Sequence, residues 1–391
     1  MKILFLYAKG NSEITNRQSA LGSYMNCLCE ILSKKGYEIH FNHVSFLQIA
    51  NQNSNQNSHV TNPIRRNKIP LPNFIKGIIK NFIRLKQIRK LKSEIVASKF
   101  QPDVIIEFYN YGSNLGLHFS KAYNCPLIEI YDAPVLEEHE YFNGRSYIYR
   151  WKISRREENT LLNAKKIVVY SNAVKKYLME KIGKSGDSFQ IHQNVDFTRF
   201  DFMESKPFAS EMNIGFIGSF LAWHRDDLLL DAFEKIIAKG MKANLYRVDS
   251  GQKYEKKKDK IHLFKSKSRI FLTGFLDGNE LKEIKSKLHI GVMPGSNWYG
   301  APNKIFEYGA AGLAVIAPDT PTIKDLFVDG NELNLFKWDD SIDLQLNLET
   351  LLKEEGVYKQ ISSNLNQKIR NNYSENKTGD FYHQLIQSTL K

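Results

Sequence analysis

The chain has 391 residues, of which 42% are apolar and 25% charged, and its 55 Lys and Arg against 42 Asp and Glu give a formal charge of +13. One hydrophobic core seldom grows beyond about 250–300 residues, so this length calls for two domains in a globular chain of ordinary composition. The positive balance points to an anionic partner, with nucleic acid, an acidic membrane surface and a phosphorylated ligand as the options. Cys27, Cys29 and Cys125 are odd in number, and the first two stand two residues apart in one predicted helix. Side chains at that spacing point apart, which excludes a disulfide framework or a closed metal site and favours a reducing compartment.

Residues 2–8 form a short apolar run without helical periodicity, the pattern of a strand covered on both faces. The run is too short for a signal-peptide core or a membrane span, and no later segment reaches about 18 apolar residues. The chain is therefore expected to be cytoplasmic, with any membrane contact peripheral. A helix is predicted over 19–34, where Leu21, Tyr24, Met25, Leu28 and Leu32 recur at helical spacing and Gly36 ends the pattern. Strands follow at 37–46, 103–108, 126–131, 166–170 and 189–192. Strand and helix in alternation are the mark of a doubly wound α/β domain.

A second series begins near residue 213, with strands at 213–218, 244–248, 270–273, 289–293 and 314–317. Helices are predicted over 226–240 and 302–311, and the tail from 353 reads as helices, the last starting near 377. Domains are accordingly expected at 1–205 and 206–375, joined by a hinge at 201–209, with 376–391 a closing helix that crosses back to the first. Two segments interrupt the alternation. Residues 51–62 (NQNSNQNSHVTN) are too poor in apolar side chains to pack and read as a mobile surface insertion. Residues 65–92 carry Arg65, Arg66, Lys68, Lys76, Lys80, Arg84, Lys86, Arg89, Lys90 and Lys92 and no acidic residue. From Asn73 they read as an amphipathic helix with Ile75, Ile78, Ile79, Phe82 and Leu85 on one stripe and Lys76, Lys80 and Arg84 on another. Such a helix can lie in the headgroup plane of an anionic membrane, or pack its stripe on the first domain.

The chemistry concentrates at 293–318, a strand end, a loop, a helix opening at Pro302, a stop at Gly312 and a second strand. Backbone N–H groups and the positive end of the helix dipole make that loop an anion site, and Lys304 adds a cation. Glu307, about a turn further in, can accept hydrogen bonds from nucleotide hydroxyls. A phosphate site, a cation and a hydroxyl-reading carboxylate together suit a sugar nucleotide.

The run PNKIFEYGAAGLAVIAP at 302–318 resembles the donor-site motif of family-4 retaining glycosyltransferases of the GT-B fold (glycosyltransferase group 1). QNVDFTRF at 193–200, IGFIGSFLAWHRDDLLLDAF at 214–233 and FLTGFLDGNELKEIKSKLHIGVMP at 271–294 resemble that family's succession of segments. The likeness is specific over 190–375 and looser before it, in IIEFYNYGSNLG at 105–116 and PLIEIYDAP at 126–134. It implies two Rossmann-like domains facing each other across a cleft, and transfer from a nucleotide diphosphate sugar with retention. UDP- or GDP-sugar would be the co-substrate, with no cofactor and no metal.

Carried over position by position, Glu307 matches the second glutamate of the family's Glu-x7-Glu motif, which holds the donor ribose. Tyr299 stands where the first glutamate would fall, a departure that bears on the donor sugar ring. Gly300 through Asn303 form the loop whose amides are expected to meet sugar and phosphate, and Lys304 fits a branch with lysine there. In the second phosphate element, residues 218–225, Ser219 replaces the family's first cation, while His224 and Arg225 lie near the second. The family's N-terminal glycine-rich loop corresponds to residues 19–23, with Gly22 as the contact. Glu129 and Asp132 end a predicted strand, where α/β sheets place their ligands, and stand as catalytic carboxylates toward an acceptor hydroxyl.

Asn194 and Asp196 read as turn caps, and His118, His192, His262 and His289 lack partners at metal-ligand spacing. Two other readings compete: another enzyme on the same scaffold, such as a sugar-nucleotide epimerase or hydrolase, and a non-catalytic module for anionic surfaces. The basic stretch contains no recognisable RNA-binding, helix-turn-helix or zinc-finger pattern, so nucleic acid is not expected as a partner. The acceptor is expected to be a glycan or a lipid-linked molecule.

Overall fold

A computed structural model of the protein describes residues 1–15, 19–54, 73–143, 147–193, 195–218, 222–248, 264–274, 276 and 278–391. The predicted apolar runs are strands in two sheets. In the first, β1 (Lys2–Leu6), β2 (Glu38–Phe41), β3 (Val44–Ser45), β4 (Val104–Phe108), β5 (Leu127–Ile130), β6 (Lys166–Val169) and β7 (Phe189–Ile191) take the order β3-β2-β1-β4-β5-β6-β7. All neighbours run parallel except the short β2–β3 pair. In the second, β8 (Met212–Ile217), β9 (Ala243–Val248), β10 (Ile270–Gly274), β11 (Ile290–Val292), β12 (Ala314–Pro318) and β13 (Asn334–Phe336) run β10-β9-β8-β11-β12-β13. That is the dinucleotide-fold order, and the architecture is the GT-B class with two Rossmann-like domains. Every residue of β4, β5 and β12 is buried, because helices cover both faces of each sheet.

Local chemistry sets the helix ends. Ser19 caps the helix Ala20–Lys34 by accepting the Gly22 N–H at 2.8 Å. Ser171 caps Asn172–Ile182 through the Val174 N–H, and Asp340 caps Ser341–Lys353 through the N–H groups of Ile342 and Asp343. At the end of the helix Asn303–Ala310, Gly312 adopts φ +70°, and a side chain there would collide with the Glu204 backbone.

The chain divides into two compact units, Met1–Asp196 with Glu375–Lys391, and Phe197–Ser374. The closing helix Glu375–Leu390 packs on the first unit, where Tyr382, Leu385 and Ile386 enter the core and the Tyr37 hydroxyl lies 2.8 Å from His383 Nδ1. The stretch expected as a hinge is instead tied into the second unit. Met203 N–H donates to the Ala310 carbonyl at 3.0 Å, and the Tyr358 hydroxyl donates to the Lys206 carbonyl at 3.1 Å.

The basic segment forms the helix Asn73–Ala97. Ile88, Leu91 and Ile95 are buried, and Arg84 lies on the same inward line. Its guanidinium donates to Asn110 Oδ1 at 2.6 Å and stacks 4.6 Å from the Tyr111 ring centroid. Arg84 was expected among the outward cations, and the packing corrects this. Ile79, Phe82 and Ile83 face outward instead, with Phe82 70% exposed, and Lys86, Arg89 and Lys90 follow on the exposed side. The side chains at 76 and 80, and residues 55–62 of the polar insertion, lie outside the described residues.

Candidate functional site

In the second sheet the strand order reverses between β8 and β11, and the loops after those two strands carry the predicted donor residues. Lys304, in the first turn of Asn303–Ala310, places Nζ 3.2 Å from His224 Nε2 and 5.9 Å from the Phe216 ring centroid. Gly218, with φ +150°, lets the chain pass so close to Lys304 that a methyl group would strike its side chain. The helix is fixed to β8 by the Tyr308 hydroxyl, which accepts the Ile217 N–H at 2.9 Å. Burial pushes the Lys304 amine down to about 8; Glu307 works against this shift and Arg199 adds to it. A desolvated ammonium beside a histidine that can accept its proton is a site for a phosphate oxygen.

Glu307, one turn along, is mostly buried and lies between two cations, with Arg199 Nη1 3.9 Å from Oε1 and Lys285 Nζ 3.9 Å from Oε2. Neither cation was anticipated. A signal was present for Lys285, which occupies the apolar stripe of Leu281 and Ile284 in the helix Gly278–Lys287, continued by Leu288 just past its end.

The preceding loop is internally bonded. Gly300 N–H donates to the Asn297 carbonyl at 3.2 Å and Asn303 N–H to the Ala301 carbonyl at 2.9 Å. These two amides were expected to meet the donor, and they are already engaged within the loop. Tyr299 is buried, its hydroxyl accepting from Asn297 Nδ2 at 3.1 Å, and Thr322 Oγ1 donates to the Trp298 carbonyl at 2.8 Å. The loop is thus held by its own hydrogen bonds.

Arg225 also departs from expectation. Its fork grips Asp227, with Nη2 to Oδ2 at 2.9 Å and Nε to Oδ1 at 3.1 Å, and Nη1 pairs with Asp339. A diphosphate must displace these carboxylates before it can use the fork. The hydrogen bonds that Arg225 donates to Asp227 raise the guanidinium pKa further. Ser219 and Asn194 lie outside the described residues.

In the first unit, Glu129 on β5 stands in register beside Glu107 on β4, and neither has any solvent exposure. Glu107 accepts the Gly116 N–H at 2.7 Å and a short hydrogen bond from Ser113 Oγ. Burial, and then the Glu107 charge, push the Glu129 carboxyl well above its usual range and favour its neutral acid form. A carboxyl sealed inside the sheet cannot reach an acceptor hydroxyl, so the expected catalytic role of Glu129 gives way to a structural pair. A glutamate inside each apolar strand run was the sequence signal for it.

Asp132, just beyond β5, is half-buried. Burial first, and Glu138 second, push its carboxyl up to about 7, while nearby backbone amides and Lys9 oppose the shift. Gly22 is buried and its N–H is held by the Ser19 cap, so it is not available as a ligand contact. Among the described residues no group of three or more His, Cys, Asp or Glu is arranged to hold a metal ion.

Residues 211–354 match the family model described as glycosyl transferases group 1. No curated protein matches the chain by sequence. Among solved structures, HepE from Anabaena in complex with UDP-glucose aligns with TM-score 0.69 at 16% identity, covering 99% of this chain and 100% of that one. Sucrose-phosphate synthase from Thermosynechococcus elongatus aligns with TM-score 0.72 at 15% identity over 99% and 98% of the two chains. A glycosyltransferase from Rickettsia africae gives TM-score 0.67 at 16% identity over 100% and 98%. At these identities the likeness is one of fold.

Proposed function

We propose, from the premise that this chain is a glycosyltransferase with a group 1 domain at residues 211–354, that it transfers sugar from a nucleotide diphosphate sugar with retention and without a metal ion. The observation that carries the reading is Lys304, its ammonium held by His224 at the point where the strand order reverses, with Glu307 one turn away. The bond from the sugar C1 to the diphosphate oxygen breaks, and the diphosphate leaves with the electron pair. The acceptor oxygen bonds C1 on the same face, and its proton passes to Asp132. Charge on the departing diphosphate falls to the Lys304 ammonium, which His224 holds in place, a fixed cation of the kind that lowers such barriers. Retention rests on the resemblance of residues 302–318 to the family's donor motif.

The test is nucleotide release from UDP-, GDP-, ADP- and dTDP-sugars, with and without EDTA. UDP-glucose comes first, because the HepE structure holds it. One nucleotide should turn over and survive EDTA. Loss of turnover that only Mg²⁺ or Mn²⁺ restores would overturn the metal-free reading. Glu307→Ala should weaken nucleotide binding by about 1–3 kcal/mol, the contribution of hydrogen bonds to a charged acceptor. Calorimetric titration checks this, and wild-type affinity would refute the ribose assignment.

The acceptor is proposed to be lipid-linked or otherwise presented at an anionic membrane. The support is the outward face of Asn73–Ala97, where exposed Ile79, Phe82 and Ile83 precede exposed Lys86, Arg89 and Lys90. Apolar side chains seat in the interface while each cation contributes about 1 kcal/mol toward acidic lipid. Exchanging Lys86, Arg89 and Lys90 for Gln should therefore cut binding to phosphatidylglycerol vesicles on the order of 10²-fold at low salt. Flotation measures it. A wild type that stays soluble with such vesicles at low salt would point to a soluble acceptor.

A further inference from the structure

Lys285, beside the proposed donor site, is almost fully buried, with 2% of its side chain exposed. An ammonium that leaves water needs hydrogen-bond acceptors and countercharge, and the structure supplies two acceptors and a second carboxylate nearby. Nζ lies 3.1 Å from the Arg199 carbonyl oxygen, 3.1 Å from Asp201 Oδ2 and 3.9 Å from Glu307 Oε2. Arg199 and Asp201 belong to the segment that opens the second unit at Phe197, whereas Glu307 belongs to the helix Asn303–Ala310. One buried charge thus joins the expected ribose-reading carboxylate to the strap of chain that begins this unit.

The arrangement answers a physical problem. A mostly buried carboxylate is costly unless positive charge lies beside it. Arg199 sets a positive charge beside one oxygen and Lys285 beside the other. Of the two, Lys285 is the rigid partner, because its other protons are anchored by backbone and by Asp201, while Arg199 is about a third exposed. Amphipathy alone would place an apolar residue at position 285, so the lysine is kept there against the cost of burying it.

We propose that Lys285 is a positioning residue which orients the Glu307 carboxylate for the nucleotide ribose and couples it to the segment Arg199–Asp201. The proposal rests on the donor-site reading given above. The role is indirect: Lys285 acts through Glu307 and makes no contact with the nucleotide itself.

The test is a mutant cycle read by calorimetric titration of the full chain with UDP and with GDP, alongside thermal unfolding. Glu307→Gln should weaken binding of the preferred nucleotide by about 10-fold. Lys285→Met, which keeps length and volume but removes the charge, should weaken it to a similar extent. The double variant should bind no worse than Glu307→Gln alone, because a residue that acts only through Glu307 has nothing left to position. Lys285→Arg retains the charge against Asp201 and should stay within about 3-fold of wild type. It also serves as the folded comparison should Lys285→Met lose its cooperative unfolding transition.

Wild-type affinity in Lys285→Met overturns the proposal, as does a double variant whose losses multiply. Lys285→Arg binding as weakly as Glu307→Gln overturns it as well. Wild-type affinity in Glu307→Gln is a separate result: it removes the ribose assignment, and with it the basis for this inference. Failure of the wild type to bind either nucleotide has the same consequence.

Discussion

Lys304→Met is expected to lower kcat/KM for the nucleotide sugar roughly 10²–10³-fold, the loss typical of removing one preorganised donor from a developing anion. The side chain is held between His224 and the Phe216 ring, so its charge acts in a medium poorer in water than the surface. In the proposed reaction the contact strengthens as the diphosphate departs, so more of the loss should fall on kcat than on KM. The sign of the pH dependence follows from the same burial. With the amine pushed down to about 8, the free enzyme loses this charge as pH rises past 8, and kcat/KM should fall with it. Lys304→Arg, which keeps its proton, should shift that alkaline limb upward even if its geometry costs rate. Methionine at 304 with wild-type kinetics would remove the central element of the site.

Asp132→Asn is expected to reduce kcat by about 10²–10⁴-fold, the range of a positioned general base, with little change in donor KM. With the Asp132 carboxyl pushed up to about 7 by burial and Glu138, its basic form is expected above that pH and turnover should climb through it. Together with Lys304 this predicts a narrow bell in kcat/KM with limbs near 7 and 8. Removing the second-largest cause, through Glu138→Gln, should move the acid limb to lower pH. The stability control has a definite sign. A carboxyl whose folded pKa lies above its unfolded value costs stability progressively as pH rises between the two. Asp132→Asn should therefore be at least as stable as wild type at pH 8, so lost turnover in that variant cannot be assigned to unfolding. An unchanged kcat would exclude Asp132 from the reaction.

How much of this was legible beforehand depends on how local each feature is. The strands of both sheets were readable as apolar runs because strands covered on both faces leave no polar alternation to disguise them. The helix Asn303–Ala310 announced itself through Pro302 and Gly312, and its Lys304 and Glu307 are indeed close to one another's field. Short edge elements were harder: β13, with three residues, carries too little pattern to separate from a loop, and β3 is only a two-residue return within the predicted strand at 37–46.

Local pattern alone was thus enough for two α/β series, for a loop that opens a helix carrying Lys304 and Glu307, and for a basic helix after residue 73. Tertiary structure decided which charges meet. Arg225 is spent on Asp227 and Asp339, Glu129 is sealed against Glu107, and Arg84 turns inward to Asn110 while Lys285 and Arg199 close on Glu307. All but one of these pairings join residues on different strands, helices or loops. The physical reason is that hydrophobic periodicity records only how each residue stands to its own element, whereas ion pairs depend on which elements the sheet order brings side by side.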